Sequence, residues 1–196
     1  CSKISYFFSL IHKEFNNFVK SKKHLMNDVI HNGDPKFDST PTIKQKALKI
    51  NLNDDIYGTF AEIGAGQETV RQFFRVGGAS GTIAKSLSAY DKSFSDAIYG
   101  VEDDKRYVTQ NRLRKMLVQE TNLIEERVGR KKNPNKMFFC YANTVATIDF
   151  AKKFKGHGWV GIRFQIDPKD DYNEIILHVR FKENIARQQQ ETLGIL

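Results

Sequence analysis

Trp159-Val160-Gly161-Ile162-Arg163-Phe164-Gln165-Ile166 and Ile175-Ile176-Leu177-His178-Val179-Arg180-Phe181 are two alternating runs joined by Asp167-Pro168-Lys169-Asp170-Asp171-Tyr172-Asn173. In the first run Val160, Ile162, Phe164 and Ile166 fall on one side, and in the second Ile175, Leu177, Val179 and Phe181 do. A period of two marks a half-buried strand, and an Asp/Pro/Asn-rich connection turns the chain back on itself. The reading is a hairpin near 159–181.

Working outward, Met137 to Val145 is a near-continuous apolar run and reads as a central strand. Before it, Leu113, Met116, Leu117, Leu123, Ile124 and Val128 recur at helical spacing and predict a helix over Asp104 to Val128. Gly129 supplies its C-cap, and Arg130, Lys131 and Lys132 suit the negative end of its dipole. Ile56 to Ile63 predicts a strand, Gln67 to Val76 a helix, and Ile83 to Tyr90 a second short helix. Ile43 to Asn53 reads as a short strand or helical turn, and a further helix starts near Asn184. Helices first and antiparallel strands later give an α+β fold, with N-terminal helices packed on a small antiparallel sheet.

The 196 residues are 40% hydrophobic and 28% charged, enough for one core-bearing domain and too apolar for wholesale disorder. No run approaches the roughly 18 apolar residues of a membrane helix, so no membrane partner is expected. Two cysteines, Cys1 and Cys140, make no disulfide framework, which points to a reducing, cytoplasmic setting. The net charge is +8, but Lys3, Lys13, Lys20, Lys22 and Lys23 against Glu14 supply +4 of it within residues 1–25. Beyond them basic and acidic residues alternate, which disfavours a nucleic-acid partner.

Met26 precedes a polar stretch, Asn27 to Thr42, with Gly33, Asp34, Pro35 and Pro41. Residues 1–50 therefore read as a leader or linker with a start at Met26, and 51–196 as the folded domain. The first residue also admits a lipid-anchored Cys1. The apolar end, Thr192 to Leu196, reads as a chain cut short of a further C-terminal part.

Several residue groups carry candidate chemistry. Glu62-Ile63-Gly64-Ala65-Gly66 follows a strand and precedes a helix, where Gly64 and Gly66 would let a ligand anion approach the backbone. The acidic-x-Gly-x-Gly order matches the first loop of S-adenosylmethionine methyltransferases, although Thr69 stands at the third glycine position. Gly77, Gly78 and Gly81 with Lys85 form a looser anion nest; a P-loop would need Lys where Thr82 stands. Strand period places Arg163, His178 and Arg180 on one side of the hairpin beside Trp159, as a phosphate or carboxylate clamp with His178 for proton transfer. His157, between Gly156 and Gly158, is a second catalytic candidate. The five histidines show no metal-ligand spacing, so no metal is expected.

The stretches Tyr57 to Glu68, Gly77 to Ser86, His157 to Gln165 and Ile175 to Arg180 resemble a bacterial family whose members carry the labels nicotinate-nucleotide adenylyltransferase and TonB-dependent receptor. The resemblance covers residues 55–196 and implies the N-terminal part of a longer protein. It implies a nucleotide or other phosphate-bearing small molecule as ligand, and nucleotidyl transfer as activity. Adenylyltransferases of that kind use a His-x-Gly-His pair; here Gly156-His157-Gly158-Trp159 has only the first His. The receptor label needs a large alternating barrel that this sequence lacks. The competing expectation is a non-catalytic interaction domain, with Arg187 to Gln190 and the apolar end packing on a neighbour. An enzyme would join Gly64–Gly66 or Gly77–Gly81 to Arg163 and His178 in one concave site; an interaction domain would leave these groups scattered.

Overall fold

A computed structural model describes residues 41–196 apart from Lys152. Residues 1–40 of the expected leader, with the Met26 start and the Cys1 anchor, lie outside these residues. The elements in order are α1 (Ile43–Asn51), β1 (Ile56–Gly64), α2 (Glu68–Val76), β2 (Ile83–Ala89), α3 (Lys92–Tyr99), α4 (Gln110–Val128), β3 (Met137–Ala146), β4 (His157–Phe164), β5 (Asn173–Arg180) and α5 (Ala186–Ile195). The fold is α+β: one five-stranded sheet in the order β2-β1-β3-β4-β5, with helices on both faces.

The hairpin forms where the alternation placed it. β4 and β5 pair antiparallel, with Trp159 opposite His178 and Arg163 opposite Glu174, and β4 pairs antiparallel with β3. The sheet is mixed, because β1 and β2 lie parallel to β3. Ile83–Ala89, expected as a helix, is instead strand β2, paired with β1 from Gly58 to Ile63. Its period of two was visible in Ile83, Lys85, Leu87 and Ala89, but a seven-residue run is too short for periodicity to arbitrate, and pairing with a formed central strand decides it. The long helix begins at Gln110, with the Thr109 hydroxyl accepting from the Arg112 N–H, so Asp104 lies in the preceding turn. α1 precedes the expected boundary at residue 51 yet packs on α2, and the compact unit starts at Pro41. A capping box between Thr42 and Gln45 starts it.

Each face of the sheet carries its own apolar cluster. Under α3 and α4 lie Ala61, Ile63, Leu113, Met116, Leu117, Cys140 and Ala142, with Trp159 and Ile176 at the rim. Under α2 and α5 lie Ala65, Val145, Val160, Phe181 and Leu193. Cys140 is the buried free cysteine of the central strand; burial first, then the Glu120 carboxylate, pushes its thiol up to about 12. No described helix is long and apolar enough to cross a membrane.

Candidate functional site

The parallel strands give the sheet two unlike edges. β1, β2 and β3 all end at one of them, their carboxyl edge, where β4 starts and β5 finishes. The chain leaves β1 toward β2 on one side and reaches β3 on the other, so the carboxyl ends of β1 and β3 flank a topological switch point, the usual ligand crevice of open sheets.

Gly64, Gly66, His157, His178 and Arg180 all lie at this edge. Ala146, His157 and Arg180 form one row across β3, β4 and β5, and Thr144, Trp159 and His178 form the next. His157 Nδ1 stands 3.3 Å from His178 Nε2. The His178 ring stacks on Trp159 at 4.5 Å between centroids and 14° between planes. Burial, then the positive potential of His178 and Arg180, holds the His157 imidazole below its ordinary pKa. Arg180 is exposed and has no carboxylate within 4 Å among the described residues. The carboxyl edge thus carries three basic side chains, none of them ion-paired with a carboxylate among the described residues.

The glycine turn at the same edge is closed from inside. Gly64 adopts φ +72°, a conformation that favours glycine, and the N–H of Ala65 bonds to the Val145 carbonyl at 3.1 Å. Gln67 Nε2 donates to the Gly64 carbonyl. A Cβ on Gly66 would fall on the Asn143 side chain, whose Nδ2 donates to the Gly66 carbonyl at 2.9 Å. What fills the space beside Gly66 is therefore Asn143. Glu62 does not face outward either: it is 1% exposed, and its Oε1 accepts from the N–H of Val70 in the first turn of α2 at 3.2 Å. The chain's own carboxylate occupies the place an external anion would take. Burial is the main cause that raises the Glu62 carboxyl to about 7, against the lowering from the Val70 and Asn143 hydrogen bonds. The starts of α3 and α4 are likewise capped by Asp91 and Thr109.

The other sequence-selected groups lie elsewhere. Gly77, Gly78 and Gly81 precede β2, at the amino edge, and Gly77 and Gly78 take positive φ to turn the chain. Asn51 closes this turn by donating to the carbonyls of Gly77 at 2.7 Å and Phe73 at 2.8 Å. Lys85 sits midway along the edge strand β2 and pairs with Glu120 on α4. Arg163 shares the face of His178 and Arg180, as strand period requires, but faces Glu174 at 3.9 Å and lies 5.3 Å over the Tyr172 ring. Six strand positions separate it from the Arg180 row, about 20 Å at roughly 3.3 Å per residue. The clamp of Arg163, His178 and Arg180 is not assembled.

Sequence reasoning missed two polar centres. Asn143, fully buried on β3, stood in plain view as the one amide inside an apolar strand run. Arg112, 0% exposed on α4, holds Asp96 at 2.7 Å and Glu102 at 3.2 Å; Glu102 also meets Lys115 at 3.1 Å. Tyr107 donates to Asp96 at 2.7 Å, which with Arg112 holds that carboxyl below its usual range. The Thr144 hydroxyl donates to the Tyr107 carbonyl at 2.7 Å and ties this cluster to the carboxyl edge. A cleft of about 640 Å³ lies between α2 and α5, lined among others by Arg71, Arg75, Arg187 and Glu191, and one of about 600 Å³ lies over α4; neither contains a sequence-selected site residue. Among the described residues no three His, Cys, Asp or Glu side chains converge as a metal site.

No family model and no curated protein matches the chain. Solved structures do share its fold. The competence/damage-inducible protein CihA of Agrobacterium tumefaciens is similar at 14% identity, over 81% of this chain and 93% of that one, with a TM-score of 0.52. The competence damage-inducible protein A (ComA) of Klebsiella pneumoniae is similar at 8% identity, over 78% of this chain and 91% of that one, with a TM-score of 0.50. A CinA superfamily protein of Enterobacter cloacae follows at 13% identity, over 84% and 95%, with a TM-score of 0.49. At such identities the likeness is one of fold. It corrects the expectation drawn from the family resemblance: the solved proteins that share this fold are competence/damage-inducible proteins, and neither a nicotinate-nucleotide adenylyltransferase nor a TonB-dependent receptor.

Proposed function

We propose that this chain is a non-catalytic assembly domain. The observation that carries the reading is the scatter of the ligand-type residues. Gly64–Gly66 lie at the carboxyl edge and Gly77–Gly81 at the amino edge, and Asn143 and Asn51 of the chain itself fill the two turns. Arg163 is paired far from His178. Glu62, which in the methyltransferase reading would meet the ligand, is spent on the start of α2. The test is a thermal-shift series on the full chain with ATP, nicotinate mononucleotide, NAD and S-adenosylmethionine. Assembly predicts no response to any of them. A ligand at 100-fold its Kd adds about 2.7 kcal/mol, so a rise of several degrees with one of the four overturns the reading.

A second reading is favoured by one observation, the unpaired Arg180 beside His157 and His178. Here the carboxyl edge binds a phosphate-bearing, nucleotide-like ligand, with Arg180 and the imidazoles on the anion and Trp159 with His178 as a stacking platform. Its signature is binding of AMP that weakens at least tenfold in Arg180→Ala and strengthens as pH falls through the imidazole range.

A further inference from the structure

Resting on the assembly reading, we propose that the partner is a second copy of this chain, joined strand to strand along β5 to make a continuous ten-stranded sheet. Among the described residues β5 is the outer strand of the sheet and pairs only on its β4 side. It is eight residues long, with no proline or glycine and no bulge in its register with β4, and the charges that guard it, Glu174 and Arg180, are of opposite sign and so can pair across two copies. The opposite edge strand, β2, carries Lys85 at its middle.

The backbone parity limits the pairing. The N–H of Phe181 donates to the Gly156 carbonyl, so the odd-numbered residues of β5 turn their polar groups toward β4. The even-numbered residues Glu174, Ile176, His178 and Arg180 then turn theirs to the open side. Two antiparallel copies related by a two-fold axis at Leu177 bring Ile176 of each against His178 of the other, and Glu174 of each against Arg180 of the other. Every group offered to the open side meets one of the same parity.

The side chains fit this register. Leu177, 46% exposed, would lie against its own copy at a non-hydrogen-bonded position, where side chains approach most closely. Ile175 would meet Val179 on the same face. On the other face Arg180, which meets no carboxylate among the described residues, would meet Glu174, already held by Arg114 at 2.8 Å. Centring the axis on any other residue of β5 breaks both the charge match and the Leu177 contact. The same Arg180 that a phosphate would take in the ligand reading is taken here by a carboxylate of the second copy.

The experiment uses the full chain with Cys1→Ser, leaving only the buried Cys140. Sedimentation at tens of micromolar gives a dimer, and Arg180→Glu and Leu177→Lys, checked for unchanged circular dichroism, sediment as monomers. Under mild oxidation Leu177→Cys cross-links to itself, because opposed Cα atoms at about 4.5 Å suit a disulfide. Ile175→Cys, opposite Val179, does not. A monomeric parent chain, or equal cross-linking at 175 and 177, overturns the proposal. The ligand series reports on the broader reading separately: a monomer silent to all four compounds sinks the dimer and leaves an assembly role with another partner. A dimer that answers ATP sinks the assembly role and leaves the dimer.

Discussion

Two polar clusters are buried on opposite faces of one sheet, and they handle charge in opposite ways. On the α4 face Arg112 keeps its charge by meeting Asp96 and Glu102, with Lys115 and Tyr107 completing the arrangement. On the α2 face Glu62 meets no cation among the described residues; its partners are the N–H of Val70 and the amide of Asn143. A buried charge with a counter-charge stays ionised, whereas a buried carboxyl held by neutral donors gains a proton near neutrality. The first cluster is a fixed tie between α3, α4 and the loop before α4. The second makes the seating of α2 depend on pH.

Substitutions that remove one partner separate the two. Arg112→Met leaves two carboxylates facing each other with only Lys115 between them, and urea melts at pH 7 should show the largest loss, about 3–5 kcal/mol. Glu62→Gln keeps the acceptor for Val70 and removes the charge. The native carboxyl rises from 4.5 to about 7, so the native state binds the extra proton between those values. Native stability from this group is complete below 4.5 and is lost as pH rises through 7, a full extent of about 3 kcal/mol at 1.36 kcal/mol per unit. The Gln variant should therefore outlast the parent at pH 8 and lose its advantage at pH 4.

Gly66→Ala tests whether Asn143 fills the turn. The added methyl meets the amide, and chemical denaturation should show about 1–3 kcal/mol lost, partly recovered when Asn143 is shortened to Ser. The smallest effect belongs to His157. Its pKa lies below the unfolded value, so the parent loses stability as pH falls below about 6.5, the opposite slope to that of Glu62. His157→Gln removes that opposing slope, so the melting temperature should rise more steeply than in the parent as pH falls from 7 to 5, with no change at pH 8.

The hairpin and the body of the long helix could be read from the sequence because each carries a period over enough residues, and the central strand because its apolar run marks a strand covered on both faces. Ile83–Ala89 could not: its state is decided by β1, a partner distant in sequence. The same limit governs the site. Period two placed Arg163, His178 and Arg180 correctly on one face, but a period says nothing of position along that face, and register put Arg163 opposite Glu174 and His157 opposite Arg180. Both glycine turns were visible as glycine. That Asn143 and Asn51 fill them was not, since each bond spans more than twenty residues.

Cys140 turns the central strand into its own clock. Its thiol is sealed under α4 and held up to about 12, so almost no thiolate exists to react while the sheet is closed. In a chain whose only other cysteine is replaced, an aromatic disulfide reagent would advance only as fast as β3 is uncovered. The rate of colour development would then count openings of the sheet centre in the untouched protein, under conditions where no melt is visible.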